Sequence, residues 1–277
     1  MAKKIKIIKN DENNTTLEKT GINQNKNTFK NLLDRYNSSQ LTSKYIFDLQ
    51  TLYLLRQNRI LGILNKRYQY DTSLKRGQEF LLNHINSKIS LVVMYVDLVD
   101  STEMSRDLPI DKLVTVIRAF THELSSVIEN YDGLILKYVG DGIISFFPSG
   151  FNKYLACDKA VQCAKSMIDI IKNGINPILS KCDYPTLSIK IGIDEGENAI
   201  VQYGYDKSSM IDIVGYSMNI AAKITALTNK NKISVEDIYK LLHPTIQSEF
   251  HELILHTNEW KYTNRTTNKT YKVYTIH

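Results

Sequence analysis

Two aspartates sit where apolar strand sequence meets a turn: Asp97 follows the run 91–96, and Asp141 lies between Gly140 and Gly142. Carboxylates that converge at a sheet edge repel one another unless a cation lies between them, and their hard oxygens suit Mg²⁺ or Mn²⁺. Such ions serve two-metal phosphoryl transfer, one lowering the pKa of an attacking hydroxyl and the other holding a polyphosphate. The plain alternative is that each Asp only caps its turn. A second constellation follows Asp212, Ile213, Val214 and Gly215, where Asn219 and Lys223 stand four apart on one face of a helix expected over 217–227. A glycine turn entering a helix brings backbone N–H groups close to a ligand. There Asn219 can donate to a ribose or phosphate oxygen, and Lys223 can neutralise charge developing nearby. The alternative here is a solvent-facing polar pair on an ordinary amphipathic helix.

The elements that must position these groups follow from periodicity. Residues 89–97 are β-branched and apolar and predict a strand; 111–130 predict a helix with Leu113, Ile117, Phe120, Leu124 and Val127 on one face, stopped at Asp132 and Gly133. Strands over 134–139 and 143–147 are joined by the glycine-flanked turn, a hairpin signal. A second helix is expected over 154–171, with Leu155, Val161, Ala164, Ile168 and Ile171 facing the core. Strands at 187–193, 199–203 and 210–214, the helix carrying Asn219, a strand at 233–235, a helix at 237–242 and a terminal strand at 269–276 complete the order. From residue 88 that order is β-α-β-β-α-β with additions. It predicts an α+β fold with a ferredoxin-like split βαβ core: a single, mostly antiparallel sheet with helices on one face. Upstream, residues 31–84 carry an apolar helical stripe (Leu49, Leu52, Tyr53, Leu55, Ile60, Ile63, Leu64). Residues 1–30 hold seven lysines against Asp11, Glu12 and Glu18, a net of 7 − 3 = +4, and read as a mobile arm. The division expected is a flexible basic arm over 1–30, a helical dimerising or regulatory segment over 31–87, and a catalytic domain over 88–277.

Composition narrows the class. The 277 residues carry a formal charge of +6, below the density of a dedicated nucleic-acid binder, and 43% apolar residues support a sizeable core. No apolar run has the roughly 20 residues that a membrane span needs. Three cysteines, Cys157, Cys163 and Cys182, lack metal-ligand spacing and an even count, so no disulfide framework is expected and a reducing cytoplasm is.

Three segments together carry a family resemblance. Residues 93–102 (VMYVDLVDST) are similar to the first metal-binding segment of class III nucleotidyl cyclases, the adenylyl and guanylyl cyclases. Residues 137–142 (KYVGDG) resemble their second metal-binding hairpin, and 212–223 (DIVGYSMNIAAK) resemble the segment with the transition-state Asn and Arg. The likeness spans about residues 90–235. It implies that Asp97 and Asp141, with the carbonyl of Leu98, bind two Mg²⁺ or Mn²⁺ ions per site. It implies too that a nucleoside triphosphate closes to a 3′,5′-cyclic nucleotide by in-line attack of its ribose 3′-OH on the α-phosphorus, expelling pyrophosphate. Asn219 would orient the ribose and Lys223 stand for the transition-state Arg. Lys137 and Asp212 match the positions that hydrogen-bond adenine in adenylyl members, which makes ATP the first expectation and cyclic AMP the product. Val214 would pack on the base, and Thr102 lies in the first metal-binding segment among the substrate contacts. Family members work as head-to-tail dimers with shared sites, so a homodimer is implied, with neither nucleic acid nor membrane as partner.

The chain departs from the family pattern in places. Lys223 loses the planar fork of Arg, and Asp100 and Ser101 replace a usual Gly-aromatic pair. No clear motif supplies the cation for the terminal phosphates; Lys261 and Arg265 are the candidates. These departures keep two alternatives open: a cyclase with another base preference (a pyrimidine triphosphate or GTP), or a catalytically weak nucleotide-binding regulatory domain. The six histidines form no ligand spacing, and Trp260 is expected to pack on the sheet end.

Overall fold

The first core strand, β1 (Lys88–Leu98), is apolar on both faces, and the protein builds outward from it. A computed structural model describes residues 49–64, 73–150, 152–204, 210–255, 260–263 and 270–276. The basic arm, residues 31–48 and Arg265 lie outside the described residues. Residues from Arg56 onward form one compact unit, separate from Met1–Leu55.

In chain order the helices are α1 (Leu49–Leu64), α2 (Ser73–Leu82), α3 (Ser101–Asp107), α4 (Ile110–Asn130), α5 (Lys153–Asp169), α6 (Asn176–Lys181), α7 (Tyr216–Leu227) and α8 (Pro244–Gln247). The remaining strands are β2 (Leu134–Val139), β3 (Gly142–Pro148), β4 (Ile189–Tyr203), β5 (Met210–Gly215), β6 (Lys232–Val235), β7 (Phe250–Leu253) and β8 (Val273–Ile276). Among the described residues the sheet order is β2-β3-β1-β4-β6-β8-β7, with β5 paired to the far half of β4. The pairs are antiparallel except β4 with β6. The order β2-β3-β1-β4 is the expected split βαβ core.

One expectation fails: helices cover both faces. Val92, Met94, Val96 and Leu98 pack with Phe120 and Leu124 of α4 and Val161 and Ala164 of α5. Leu91 and Val93 pack with Leu81 of α2 and with Met218 and Ala221 of α7 on the other side. The uninterrupted apolar run 91–96, where a one-faced sheet would alternate, is the sequence counterpart of this double burial.

The strands expected at 187–193 and 199–203 are one strand, β4. Its polar middle, Asp194 to Asn198, stays extended because each residue has a β1 partner, from Val93↔Asp194 to Ile89↔Asn198. Val99 and Asp100 alone join β1 to α3: Asp100 takes a left-handed φ of 58°, and α3 starts at Ser101. Leu155, expected in the core, is 49% exposed, whereas Val161 and Ala164 are fully buried. The second helix continues past Asp169 as a π-helical stretch, Ile170–Ile175, and 237–241 form a 3-10 turn instead of an α-helix. Strand β7, paired with β8, was not anticipated.

Arg56 and Arg59 of α1 reach α4, where Nη1 of the first and Nη2 of the second each donate to Oε2 of the fully buried Glu123 at 2.8 Å. Burial alone would raise this carboxyl; the adjacent His122 and the two guanidinium charges overcome it and hold the pKa at about 2. The three cysteines are free, and burial pushes the Cys157 thiol up to about 12. No helix among the described residues is long and apolar enough to cross a membrane.

Candidate active site

Asp97 is the next-to-last residue of β1, on the face shared by Leu91, Val93 and Tyr95. On one side β1 pairs with β3 through Val96↔Ile143, which brings Asp97 beside the β2–β3 turn. That turn closes through the pair Val139↔Gly142, with Gly140 and Asp141 as its two loop residues. Gly140 has φ +61°, the left-handed conformation that primed hairpin turns require at their first loop position and that glycine adopts without strain. A Cβ on Gly142 would stand 3.1 Å from the Val96 carbonyl oxygen and 3.8 Å from Asp97 Oδ1, so the turn that carries Asp141 packs closely on the end of β1, beside the Asp97 carboxylate.

These groups border a cleft of about 200 Å³ lined by Tyr95, Asp97, Gly142, Lys190, Ala222 and Thr225, among others. Lys190 was missed in the sequence. It lies on β4 directly opposite Asp97 in the β1–β4 register, and its Nζ stands 3.1 Å from Asp97 Oδ2. The signal was present but indirect, since finding it required knowing that β4 is continuous and how it pairs.

The donor set suits Mg²⁺ or Mn²⁺. Among the described residues no cluster of three or more His, Cys, Asp and Glu is placed to hold a metal ion. Two carboxylates at one edge and the backbone carbonyl of Leu98 are what the chain offers. Such sparse, all-oxygen protein ligation, completed by water and substrate phosphates, is the habit of magnesium sites rather than of structural zinc.

Of the second constellation, Asp212 is brought together with Lys137. Lys137 Nζ donates to Asp212 Oδ2 at 2.6 Å, and the Ile213 backbone N–H donates to Asp212 Oδ1 at 2.9 Å. Both side chains remain partly exposed, at 34% and 20%. Tyr95 lies between the two constellations: it lines the Asp97 cleft, and its phenol pKa is raised by burial and then by the Asp212 carboxylate.

Helix α7 carries Asn219 and Lys223, both exposed, on the side away from its buried Ile220, Ala221 and Ile224. Its placement is fixed at close range. A Cβ on Gly192 of β4 would collide with the Ala221 carbonyl and with Thr225, so only glycine lets α7 lie this near the sheet. Ser217 Oγ donates to Asn198 Oδ1 at 2.9 Å and ties the start of α7 to β4. On its outer side Ile220 and Ile224 pack on Trp260 and Val273, and Trp260 Nε1 donates to the Tyr271 carbonyl at 2.9 Å. Trp260 therefore packs on the sheet end, as expected, and supports α7 as well: Val273 belongs to β8 and Leu253 to β7, the last two strands of the sheet.

Lys137, Asp212, Val214, Asn219 and Lys223 do not line the cleft that holds Asp97. Val214 is 48% exposed. Thr102 is exposed in the first turn of α3, and Lys261 is exposed next to Trp260, outside the cleft lining. One chain thus presents two incomplete groups of site residues.

Comparison with known proteins agrees with this geometry. The model of the Adenylate and Guanylate cyclase catalytic domain matches residues 84–276, well over half of the chain. A uridylate cyclase of Burkholderia cepacia is 26% identical over 179 residues, covering 63% of this chain and 76% of that protein. A cytidylate cyclase of Escherichia coli is 25% identical over 152 residues, covering 52% of this chain but only 33% of its own length. The crystal structure of the guanylyl cyclase Cya2 superimposes with a TM-score of 0.59 at 18% identity over 69% of this chain and 93% of that one. With its fold, its hairpin aspartate and its matched domain, the chain belongs to the adenylate and guanylate cyclase catalytic domain family.

Proposed function

We propose that the chain is a nucleotidyl cyclase that converts a nucleoside triphosphate to its 3′,5′-cyclic nucleotide and pyrophosphate. The observation that carries this is Asp97 beside the turn bearing Asp141, in the lining of a cleft that Lys190 also lines. Asp97, Asp141 and the Leu98 carbonyl hold Mg²⁺ or Mn²⁺, which supply Lewis-acid activation of the 3′-OH and neutralise the triphosphate. Asn219 orients the ribose, and Lys223 places a positive charge where the α-phosphate becomes more anionic. Both come from a second copy of the chain, because the two constellations sit apart on one protomer; a head-to-tail homodimer then has two equivalent sites.

The Lys137–Asp212 pair supports a reading of the base. Its hydrogen bonds leave an ammonium N–H and carboxylate lone pairs free, so it presents a donor beside an acceptor. Adenine offers the complement, N1 as acceptor beside the N6 amino donor. Cytosine offers the same polarity at N3 and N4, whereas guanine and uracil reverse it and leave both side chains unpaired, at about 1–3 kcal/mol for each group. ATP is the first substrate, from the match of both residues to adenylyl members. CTP is the second reading, favoured by the likeness to a cytidylate cyclase. The purified chain should be incubated with each of the four ribonucleoside triphosphates and Mn²⁺, and the products separated by chromatography. Cyclic AMP is expected as the main product, with cyclic CMP as the other product formed. Cyclic UMP or cyclic GMP as the main product would overturn the base reading, and no cyclic product from any of the four would overturn the activity.

A further inference from the structure

We propose, building on the reading of Lys137 as a base-recognition residue given above, that Gly77 and Gln78 of α2 are positioning residues for it: through the main chain of β2 they set where the Lys137 ammonium points. The starting point is a slip of one residue in β2. Ile135 lies opposite Ser145 of β3 and Lys137 opposite the next residue, Ile144, so Leu136 is extra. Side chains of a strand alternate between its faces, and a regular β2 would put Lys137 on the face of Ile135, the α4 side. The extra residue reverses this. Tyr138 takes the α4 side instead, its hydroxyl 2.8 Å from Ser125 Oγ, and Lys137 falls in one cross-strand row with Ile144 and Tyr95 on the face that carries Asp97. The bulge is what brings Lys137 to Asp212.

Helix α2 lies on that bulge. A Cβ on Gly77 would collide with the Ile135 carbonyl oxygen, so only glycine lets the helix rest this near the strand. One residue on, Gln78 Nε2 donates to the carbonyl of Leu136, the extra residue itself, at 3.3 Å. Leu81 of the same helix is buried in the same core as Leu136 and Ile144. A bulge interrupts the ladder locally, and here a donor from outside the sheet holds the peptide that joins Leu136 to Lys137. Lysine carries its charge at the end of a flexible four-carbon stem, so a small tilt of this peptide is enlarged at Nζ. The 2.6 Å bond to Asp212 leaves little room for such a tilt.

A role through Lys137 and plain support of the fold move different quantities. Gln78→Met keeps the length of the side chain and removes its donor. With Mn²⁺ present, kcat/KM should be measured for ATP against GTP and for CTP against UTP. The variant should lower the ratio for the accepted pair roughly three- to tenfold, mainly by raising KM for the accepted base. Gly77→Ala should lower it at least as far, since α2 must then retreat from β2. In a Lys137→Met background Gln78→Met should move the ratio no further. A supporting role alone would lower all four values together and leave both ratios in place. Should the Met variant fail to fold by circular dichroism, Gln78→Ala takes its place. Lys137 should also be labelled with trace acetic anhydride and its acetylation read by peptide mass spectrometry. An ammonium held by Asp212 reacts slowly, and Gln78→Met should speed the labelling roughly threefold. Unmoved ratios overturn the positioning role, as does an equal loss in the Lys137→Met background or unchanged labelling. If Lys137→Met itself leaves the ratios unmoved, the base reading fails; the labelling needs no turnover and still decides whether α2 sets the place of Lys137.

Discussion

On the proposed function, Lys223 and the two aspartates are the residues on which the chemistry turns, and each makes a separable demand. Asp97→Ala and Asp141→Ala should each abolish turnover while the melting temperature stays near that of the unaltered chain, because both sit at a strand end or turn and neither fills the core. Full activity in either variant would refute the metal assignment. Lys223 supplies charge without a fork, so it contacts one phosphate oxygen at a time, where a guanidinium contacts two. Lys223→Arg should therefore raise kcat, by about two- to tenfold on the scale of a charge-assisted hydrogen bond, with little change in KM. Steady-state kinetics on the two proteins checks this, and a fall in kcat would mean that the site is shaped around the shorter ammonium. The placement of the two aspartates and Lys223 was legible from sequence because each sits in a local signature: a strand end, a glycine hairpin, a glycine turn before a helix. The place of Lys190 beside Asp97 was not, since it comes from register with a strand more than ninety residues away, and a single local window does not carry register.

At the scale of elements, long apolar or strongly periodic segments were the readable ones. Strand β1, helix α4 and the β2–β3 hairpin fall where pattern placed them. The continuity of β4 was hidden by its polar middle, and that same middle holds an unusual pair. Asp194 and Glu236 are both 2% exposed, at neighbouring positions where β4 runs parallel to β6, and Asp194 Oδ1 and Glu236 Oε1 have no hydrogen-bond partner. Burial and then their mutual repulsion raise the Asp194 carboxyl well above its usual range, and burial pushes Glu236 up to about 8. The sign follows from proton uptake. An acid with a raised folded-state pKa binds its proton more tightly when folded, so its stabilisation is full below the unfolded value, 4.5 for Glu, and declines as pH rises toward 8. Glu236→Gln, a mimic of the neutral form, should flatten the loss of melting temperature between pH 5 and 8. A variant that loses stability with pH as steeply as the parent would show that this pair is not protonated in the fold. Glu123 has the opposite dependence: with its pKa held at about 2 by the neighbouring charges, its contribution is present above 4.5 and is lost only as pH falls toward 2.

The whole molecule presents its chemistry in halves. On the proposed reading, the aspartates of the Asp97 cleft form one half, and Lys137, Asp212, Asn219 and Lys223, none of which lines that cleft, form the other. That division is implied by family resemblance; the helix bearing Asn219 and Lys223 also reaches the Asp97 cleft, through Ala222, Thr225 and Ala226. Fold class was readable at this scale because β-α-β-β-α-β order survives uncertain boundaries. The second layer of helices was not, because it depends on how α2 and α7 return to the sheet. A shared site makes a prediction at this scale alone. Asp97→Ala and Asn219→Ala homodimers each lack one essential group in both sites. Mixed as equal amounts of unfolded chain and refolded together, they form heterodimers in which one site carries both lesions and the other carries none. The most direct test of the account is the cyclisation rate of that mixture against each variant alone. The account predicts near-zero rates for the separate variants and recovery to roughly a quarter of the unaltered rate in the mixture, since half of the dimers are mixed and half of their sites intact. A mixture as inactive as its two components would contradict it.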